Sequence, residues 1–263
     1  MKWLLLLVGV SLFYLWLKSK KQAERRTNEG VKIPGPEVIV QCKHCKVHIP
    51  LSDAITREGR VYCSSEHLNT IDNQGWLGNA TWCASPNFDS RPTANPPDLV
   101  VIHHISLPPG GFQKRSCTQF IVDFFQNKID PTEHPYFAEI ADQKVSSHFL
   151  ISRTGELIQF VSTGSRAWHA GVSEFLGRER CNDFSIGIEL EGDGETTFED
   201  AQYSALAKLV ANLQLTIPNL QFAGHSDIAP ERKTDPGVQF NWQKFQAQTG
   251  ISEENFPYGL RSR

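Results

Sequence analysis

Two glycines and two prolines confine residues 224–237, Gly224-His225-Ser226-Asp227-Ile228-Ala229-Pro230-Glu231-Arg232-Lys233-Thr234-Asp235-Pro236-Gly237. No helix runs through this stretch, because Pro230 and Pro236 each remove a donor and push the preceding residue toward extended geometry. It is a shaped loop behind a short, mostly apolar run, Leu220 to Ala223. A histidine, a lysine and an aspartate share it, and polar loops held on a rigid scaffold are where binding and chemistry concentrate. Ordinary turn chemistry at the surface would use the same residue types, so the rest of the chain decides between the two.

The chain has 263 residues, enough for one large domain or two. Apolar residues make up 40% and charged residues 21%, which supplies a core. Net charge is −3, and no basic block with interleaved aromatics follows the N-terminal region, so no nucleic-acid partner is expected. Of the six cysteines, Cys42, Cys45 and Cys63 lie close together, while Cys83, Cys117 and Cys181 are scattered. That pattern favours one local metal site over a disulfide framework.

Trp3 to Leu17 is apolar apart from Gly9 and Ser11. As a helix it reaches roughly 22 Å, and Lys2 and Lys18 can snorkel toward the ~30 Å hydrocarbon width. No small-residue cleavage site follows, only Lys18-Ser19-Lys20-Lys21, so residues 1–18 read as a retained transmembrane anchor rather than a signal peptide. Positive residues after the run outnumber Lys2 before it. The expected placement is a single-pass inner-membrane anchor with the remainder in the cytoplasm. Residues 19–36, ending in Pro34-Gly35-Pro36, read as a linker.

Residues 37–70 carry Cys42-Lys43-His44-Cys45 and, seventeen residues on, Cys63-Ser64-Ser65-Glu66-His67. Two close pairs on turns can place Cys42, Cys45, Cys63 and His67 tetrahedrally around Zn²⁺, and four filled positions make such a site structural. His44 and His48 are spare histidines. Residues 1–70 together resemble small membrane-anchored bacterial proteins: an anchor, a tether and a cysteine-rich knuckle. The partner of the module is not specified by the sequence.

Residues 71–250 form the main domain, with a polar tail at 251–263. Asp98 to Ile105 is a β-branched run ending in His103-His104 and then a sharp Pro/Gly exit, a buried strand by pattern. Apolar positions 120, 121, 124 and 125 give helical spacing over 117–128, and 129–143 reads as irregular. Ser147–Ser152 and Leu157–Ser162 form a hairpin around Gly155. Phe184 to Glu191 alternates: Ile186 and Ile188 face one way, Gly187, Glu189 and Glu191 the other. A carboxylate at 189, flanked by isoleucine and leucine, is costly unless paired or functional. Thr197 reads as the N-cap of a helix with apolar positions 203, 206, 207, 210 and 213, ended by Pro218. Phe240 to Gln248 reads as a last short helix.

His103, His225 and Asp235 each stand at a strand end or in the shaped loop. Two histidines and one carboxylate hold zinc with a fourth position open, the catalytic arrangement. Glu189 is the candidate general base and Lys233 a fixed charge for a developing oxyanion.

Longer motifs carry a resemblance: Val101 to Gly110, Ile129-Asp130-Pro131 with His134 to Ala138, Arg166 to Gly171, Gly177 to Gly192, and the loop at 224–237. Residues 75–248 resemble the AmpD branch of the zinc N-acetylmuramoyl-L-alanine amidases, which share their fold with peptidoglycan recognition proteins. The resemblance implies a mixed α/β fold, a central mostly antiparallel or mixed sheet flanked by helices, with the site in a cleft over it. It implies zinc on His103, His225 and Asp235, Glu189 as the catalytic carboxylate and Lys233 as the transition-state lysine. It further implies Arg180 for a peptide carboxylate and Trp168 for the sugar. Two positions depart from the pattern: His104 stands where relatives commonly carry Asn, and Lys144 where an Arg of the substrate groove is expected. The reaction implied is hydrolysis of the amide between the lactyl group of 1,6-anhydro-N-acetylmuramic acid and L-Ala of the stem peptide, in cytoplasmic wall recycling. The alternatives are a muropeptide-binding receptor without catalysis and a periplasmic amidase acting on intact peptidoglycan.

Overall fold

The computed structural model describes residues 11–22, 37–92, 96–113 and 116–260. The chain divides into two compact units, 1–39 and 40–263. In the first, residues 11–22 are helical with exposed side chains. The expected anchor at 1–18 and linker at 19–36 fall mostly outside the described residues. Among the described residues no helix is long and apolar enough to cross a membrane.

The second unit is built on a six-stranded sheet. Its strands are β1 (Thr81–Trp82), β2 (Leu99–Ile105), β3 (Phe149–Ile151), β4 (Leu157–Gln159), β5 (Ser185–Glu191) and β6 (Gln221–Gly224), in the order β6-β2-β5-β3-β4-β1. Only the β3–β4 hairpin is antiparallel; the other four pairings are parallel. Of the expected mostly antiparallel or mixed sheet, the mixed reading holds, and the antiparallel majority is corrected to a parallel one. The physical reason lies in the connections. The long connections from β2 to β3 and from β5 to β6 carry the chain back to the end of the sheet where it started, as parallel strands require.

The two faces of β5 separate as its alternation predicts. Ile186, Ile188 and Leu190 join Val100 and Ile102 of β2 in a core covered by two helices, α3 (Asp200–Thr216) and α4 (Trp242–Thr249). Tyr203, Leu206, Leu209, Val210 and Leu213 of α3 are buried there. On the opposite face, α1 (Ser116–Phe125) and α2 (Pro135–Ile140) pack Ile121, Phe125, Phe137 and Ile140 against Leu150 and Ile158. Helices on both faces explain why all seven positions of β5 are buried.

Several local expectations shift. Residues 129–143, read as irregular, contain α2: His134 Nδ1 accepts from Tyr136 N–H at 3.1 Å, Pro135 takes the first helical position, and Phe137 and Ile140 are buried. Thr197 does not cap α3. Glu199 does, in a capping box in which its backbone N–H donates to Gln202 Oε1 at 3.0 Å. The last helix begins at Trp242 because the Asn241 side chain accepts from Lys244 N–H. The loop at 224–237 opens with one helical turn, His225–Ile228, which Pro230 keeps from continuing.

Residues 40–70, expected as a separate module, belong to the same compact unit as the sheet. Gln159 joins the segment after them to the sheet, its Oε1 accepting from Leu77 N–H at 2.8 Å and its Nε2 donating to Gly75 O at 2.8 Å.

Glu191 is a buried carboxylate of β5 with full hydrogen bonding, accepting from Thr118 Oγ1 at 2.9 Å and from Arg153 N–H at 3.0 Å. Its role is structural. Replacing it as Glu191→Ala leaves two donors without a partner. We expect a loss of about 1–3 kcal/mol of stability, read as a lower midpoint in denaturant unfolding. An unchanged midpoint would contradict that role.

Candidate metal and active site

Register assembles the site. In the parallel pairs, Glu189 of β5 lies opposite His103 of β2, and Gly224 of β6 lies opposite Ile102. The next residue after Gly224 is His225, so Glu189, His103 and His225 form one row across three adjacent strands at their carboxyl ends. Open parallel sheets place ligands at that end. The loop then folds back until Asp235 closes the group: Ser226 N–H donates to Asp235 O at 2.8 Å. Gly237, with φ +85°, passes so close to Gly194 that a Cβ would meet the Gly194 Cα at 2.4 Å. Only glycine fits this crossing.

His103 Nδ1, His225 Nδ1 and Asp235 Oδ2 converge, with His103 Nδ1 at 2.9 Å from each of the other two and His225 Nδ1 at 3.1 Å from Asp235 Oδ2. The protons on the far sides of the rings are fixed by backbone carbonyls. Ser185 O–H donates to Cys181 O at 2.6 Å, so its oxygen accepts from His169 Nε2–H at 3.0 Å. His169 Nδ1 then accepts from His103 Nε2–H at 3.0 Å, leaving His103 Nδ1 with a bare lone pair. His225 Nε2–H donates to Ala170 O at 3.0 Å, with the same result. Burial, reinforced by the neighbouring His225, pushes His103 down to about 4, so its ring is neutral near pH 7. Burial pushes His169 well down too. Two imidazole lone pairs and a carboxylate oxygen meeting without a proton describe a cation site, and these three side chains can hold a metal ion.

Over this triad opens a cavity of about 380 Å³, lined among others by Glu189, Lys233, Trp168, His104 and Tyr136. Glu189 is 8% exposed, and its Oε2 is buried with no hydrogen-bond partner among the described residues. Burial, and then the charge of Asp235, push its carboxyl well above the normal range, while Lys233 pulls it down. A carboxyl in that state is suited to gaining and losing a proton.

Of the expected site residues, the fold brings together His103, His225, Asp235, Glu189, Lys233, Trp168 and His104. His104, next in sequence on the strand, lines the cavity with its ring against Gly194. Two residues expected to contact the substrate do not line this cavity. Arg180 lines a neighbouring cavity of about 880 Å³ with Arg166 and Arg232, its side chain 70% exposed and 3.4 Å from Asp183. Lys144 is exposed and does not line the cavity, whereas Gln143 and Val145 on either side do. Sequence reasoning left His169 without a role. Its signal was its position beside Trp168 in a run of small residues, but the partner that makes room for it, Gly187, is distant in sequence: a Cβ there would come within 2.5 Å of the His169 ring.

His169→Phe keeps a ring of similar size and removes the Nδ1 that accepts from His103 and the Nε2–H that bonds Ser185. We expect a 10–100-fold weaker affinity for a divalent metal in chelator competition. Equal affinity would mean that His169 only fills space.

A family model described as N-acetylmuramoyl-L-alanine amidase matches residues 93–238. The 1,6-anhydro-N-acetylmuramyl-L-alanine amidase AmpD of Salmonella typhimurium strain SL1344 is 49% identical over 184 residues, 69% of this chain and 96% of the relative. The AmpD of Escherichia coli K12 is 52% identical over 174 residues, 65% of this chain and 93% of that protein. A crystal structure of a selenomethionine AmpD derivative superposes with a TM-score of 0.64 at 50% identity, covering 67% of this chain and 97% of that one. On sequence, fold and site geometry, the chain belongs to the N-acetylmuramoyl-L-alanine amidase family.

Proposed function

We propose that the chain hydrolyses the amide between the lactyl group of 1,6-anhydro-N-acetylmuramic acid and L-Ala of the stem peptide, as a zinc enzyme of peptidoglycan recycling. The observation that carries this reading is the convergence of His103, His225 and Asp235 beneath a cavity that also holds an unpartnered Glu189 and Lys233. Two histidines and one carboxylate suit Zn²⁺ with a position left open, and zinc bound there supplies Lewis acidity and a water of pKa about 7.

The chain's own groups do the rest. Glu189 takes a proton from the attacking water and delivers it to the leaving nitrogen, a task that needs a carboxyl titrating above its usual range. Lys233 places a fixed positive charge in the cavity, where the carbonyl oxygen turns into an oxyanion. Trp168, half-buried on the cavity wall, offers a flat apolar face to the sugar. The neighbouring cavity, with Arg180, Arg166 and Arg232, suits the carboxylates of the stem peptide, because guanidinium forks bind carboxylate bidentately. The apolar run at 3–17 and the positive residues after it support an inner-membrane anchor that keeps the amidase unit on the cytoplasmic side.

Purified full chain incubated with anhydro-muramyl tripeptide should release free peptide with an alanine N-terminus. Release should stop after metal is removed by chelator and return with added zinc. Lys233→Ala should lower kcat by about 10²–10³-fold, as for the loss of one oxyanion donor. Binding of the fragment with no release under any metal would make this a receptor instead.

A further inference from the structure

The cysteine segment contains a second cluster of metal-type ligands, remote in sequence from the amidase motifs. Cys42 and Cys45 sit on the turn joining Ile39–Gln41 to His48–Pro50; Cys63 and His67 follow the hairpin Ile55–Arg57/Arg60–Tyr62. Their four ligand atoms all lie within 4.8 Å of one another. Cys45 Sγ and Cys63 Sγ are 3.7 Å apart. A disulfide requires about 2.05 Å. Two sulfurs on one tetrahedral zinc, each about 2.3 Å from it, stand about 3.8 Å apart. The sulfur–nitrogen distances from His67 Nδ1 are 3.0 Å to Cys63 and 3.9 Å to Cys42. They bracket the roughly 3.6 Å that zinc–sulfur and zinc–nitrogen bond lengths imply.

The surroundings fit a metal clasp. Cys63 N–H donates to Cys42 Sγ at 3.4 Å, and Lys43 N–H to Val61 O at 2.7 Å, so the two ligand-bearing turns are joined backbone to backbone. Ser64 Oγ accepts from His67 N–H at 3.1 Å and sets the short turn carrying His67. The His44 ring stacks flat on His67, 4.3 Å away at an interplanar angle of 6°. Meanwhile the segment has almost no core of its own. Cys42 and Tyr62 are its buried apolar side chains, and Val38, Ile39, Val47 and Leu51 are each at least 45% exposed. Hairpins so poor in buried surface need another source of cohesion.

The second hairpin also grips the sheet. The Arg60 guanidinium lies 3.8 Å above the Trp82 ring and donates to Ala80 O at 2.9 Å. Tyr62 packs so tightly on Gly78 that a Cβ there would fall 2.9 Å from its ring. Trp82 belongs to β1, the edge strand.

We propose that Cys42, Cys45, Cys63 and His67 bind one structural zinc ion, which closes the two hairpins into a cap fixed on the β1 edge of the amidase sheet. With four protein ligands the ion has no open position, so it contributes cohesion and no chemistry.

The test is zinc content of the full chain by elemental mass spectrometry after loading and dialysis. The expected count is two per chain, falling to one in Cys45→Ser with turnover retained. His225→Ala should also fall to one and lose turnover, while keeping a thiolate-to-cobalt charge-transfer band when reconstituted with Co²⁺. In the wild-type chain a thiol-specific mercurial should release one zinc equivalent, a readout that does not depend on a variant folding. One zinc per wild-type chain, unchanged in Cys45→Ser and not released by the mercurial, would overturn the proposal. So would a cobalt form of His225→Ala that lacks the thiolate band.

Discussion

Parallel register between three strands is the constraint on which the site depends. With Glu189 opposite His103, and Gly224 opposite Ile102, the side chains at 189, 103 and 225 fall in one row on one face. Their spacing is then set by the separation of neighbouring strands, roughly 4.8 Å, rather than by any loop. Asp235 alone arrives by loop, and that loop is pinned by the Gly237–Gly194 crossing and by the Ser226–Asp235 backbone bond. A slip of one residue along β5 would send Glu189 into the core under α3 and expose Ile188 to the cavity.

The same strand shows how burial separates two identical side chains. Glu191 meets Thr118 and the Arg153 amide, so its desolvation is offset and it ties β5 to its neighbours. Glu189, two residues earlier on the same face, has one oxygen with no donor among the described residues. The fold therefore carries an unfavourable group at the position for which we propose a proton-transfer role, and buried Ile186, Ile188 and Leu190 on the other face help stabilise the strand that holds it. Behind the triad, proton positions trace back to two carbonyls, Cys181 O and Ala170 O, which can only accept. Backbone geometry thus dictates which imidazole nitrogens face the metal position.

What was legible in the sequence had a local signature. The two-residue alternation of β5 separated its faces, and prolines and glycines delimited the loop at 224–237. The residue types at 103, 225 and 235 suited metal ligation before any distance was known. Strand direction was not legible, because an apolar run reads alike in either orientation; crossovers decide it. The short helix at 135–140 depends on a histidine acting as N-cap, a weak signal, and on burial of only Phe137 and Ile140. Arg180 and Lys144 were assigned by motif alone, and motif position does not specify which cavity a side chain enters. His169 needed the absence of a side chain at Gly187, a fact about packing between segments far apart in sequence.

In the role we propose for Glu189, its carboxyl is kept unpaired for chemistry at the expense of stability. The direct measurement is Glu189→Gln, followed in parallel by the unfolding midpoint of the zinc-free chain and by turnover of anhydro-muramyl tripeptide. Neutral glutamine of the same shape removes a buried carboxyl that the fold does not satisfy. The midpoint should equal or exceed that of the unaltered chain, with turnover reduced at least ~10²-fold. A lowered midpoint, or turnover close to the original, would contradict it.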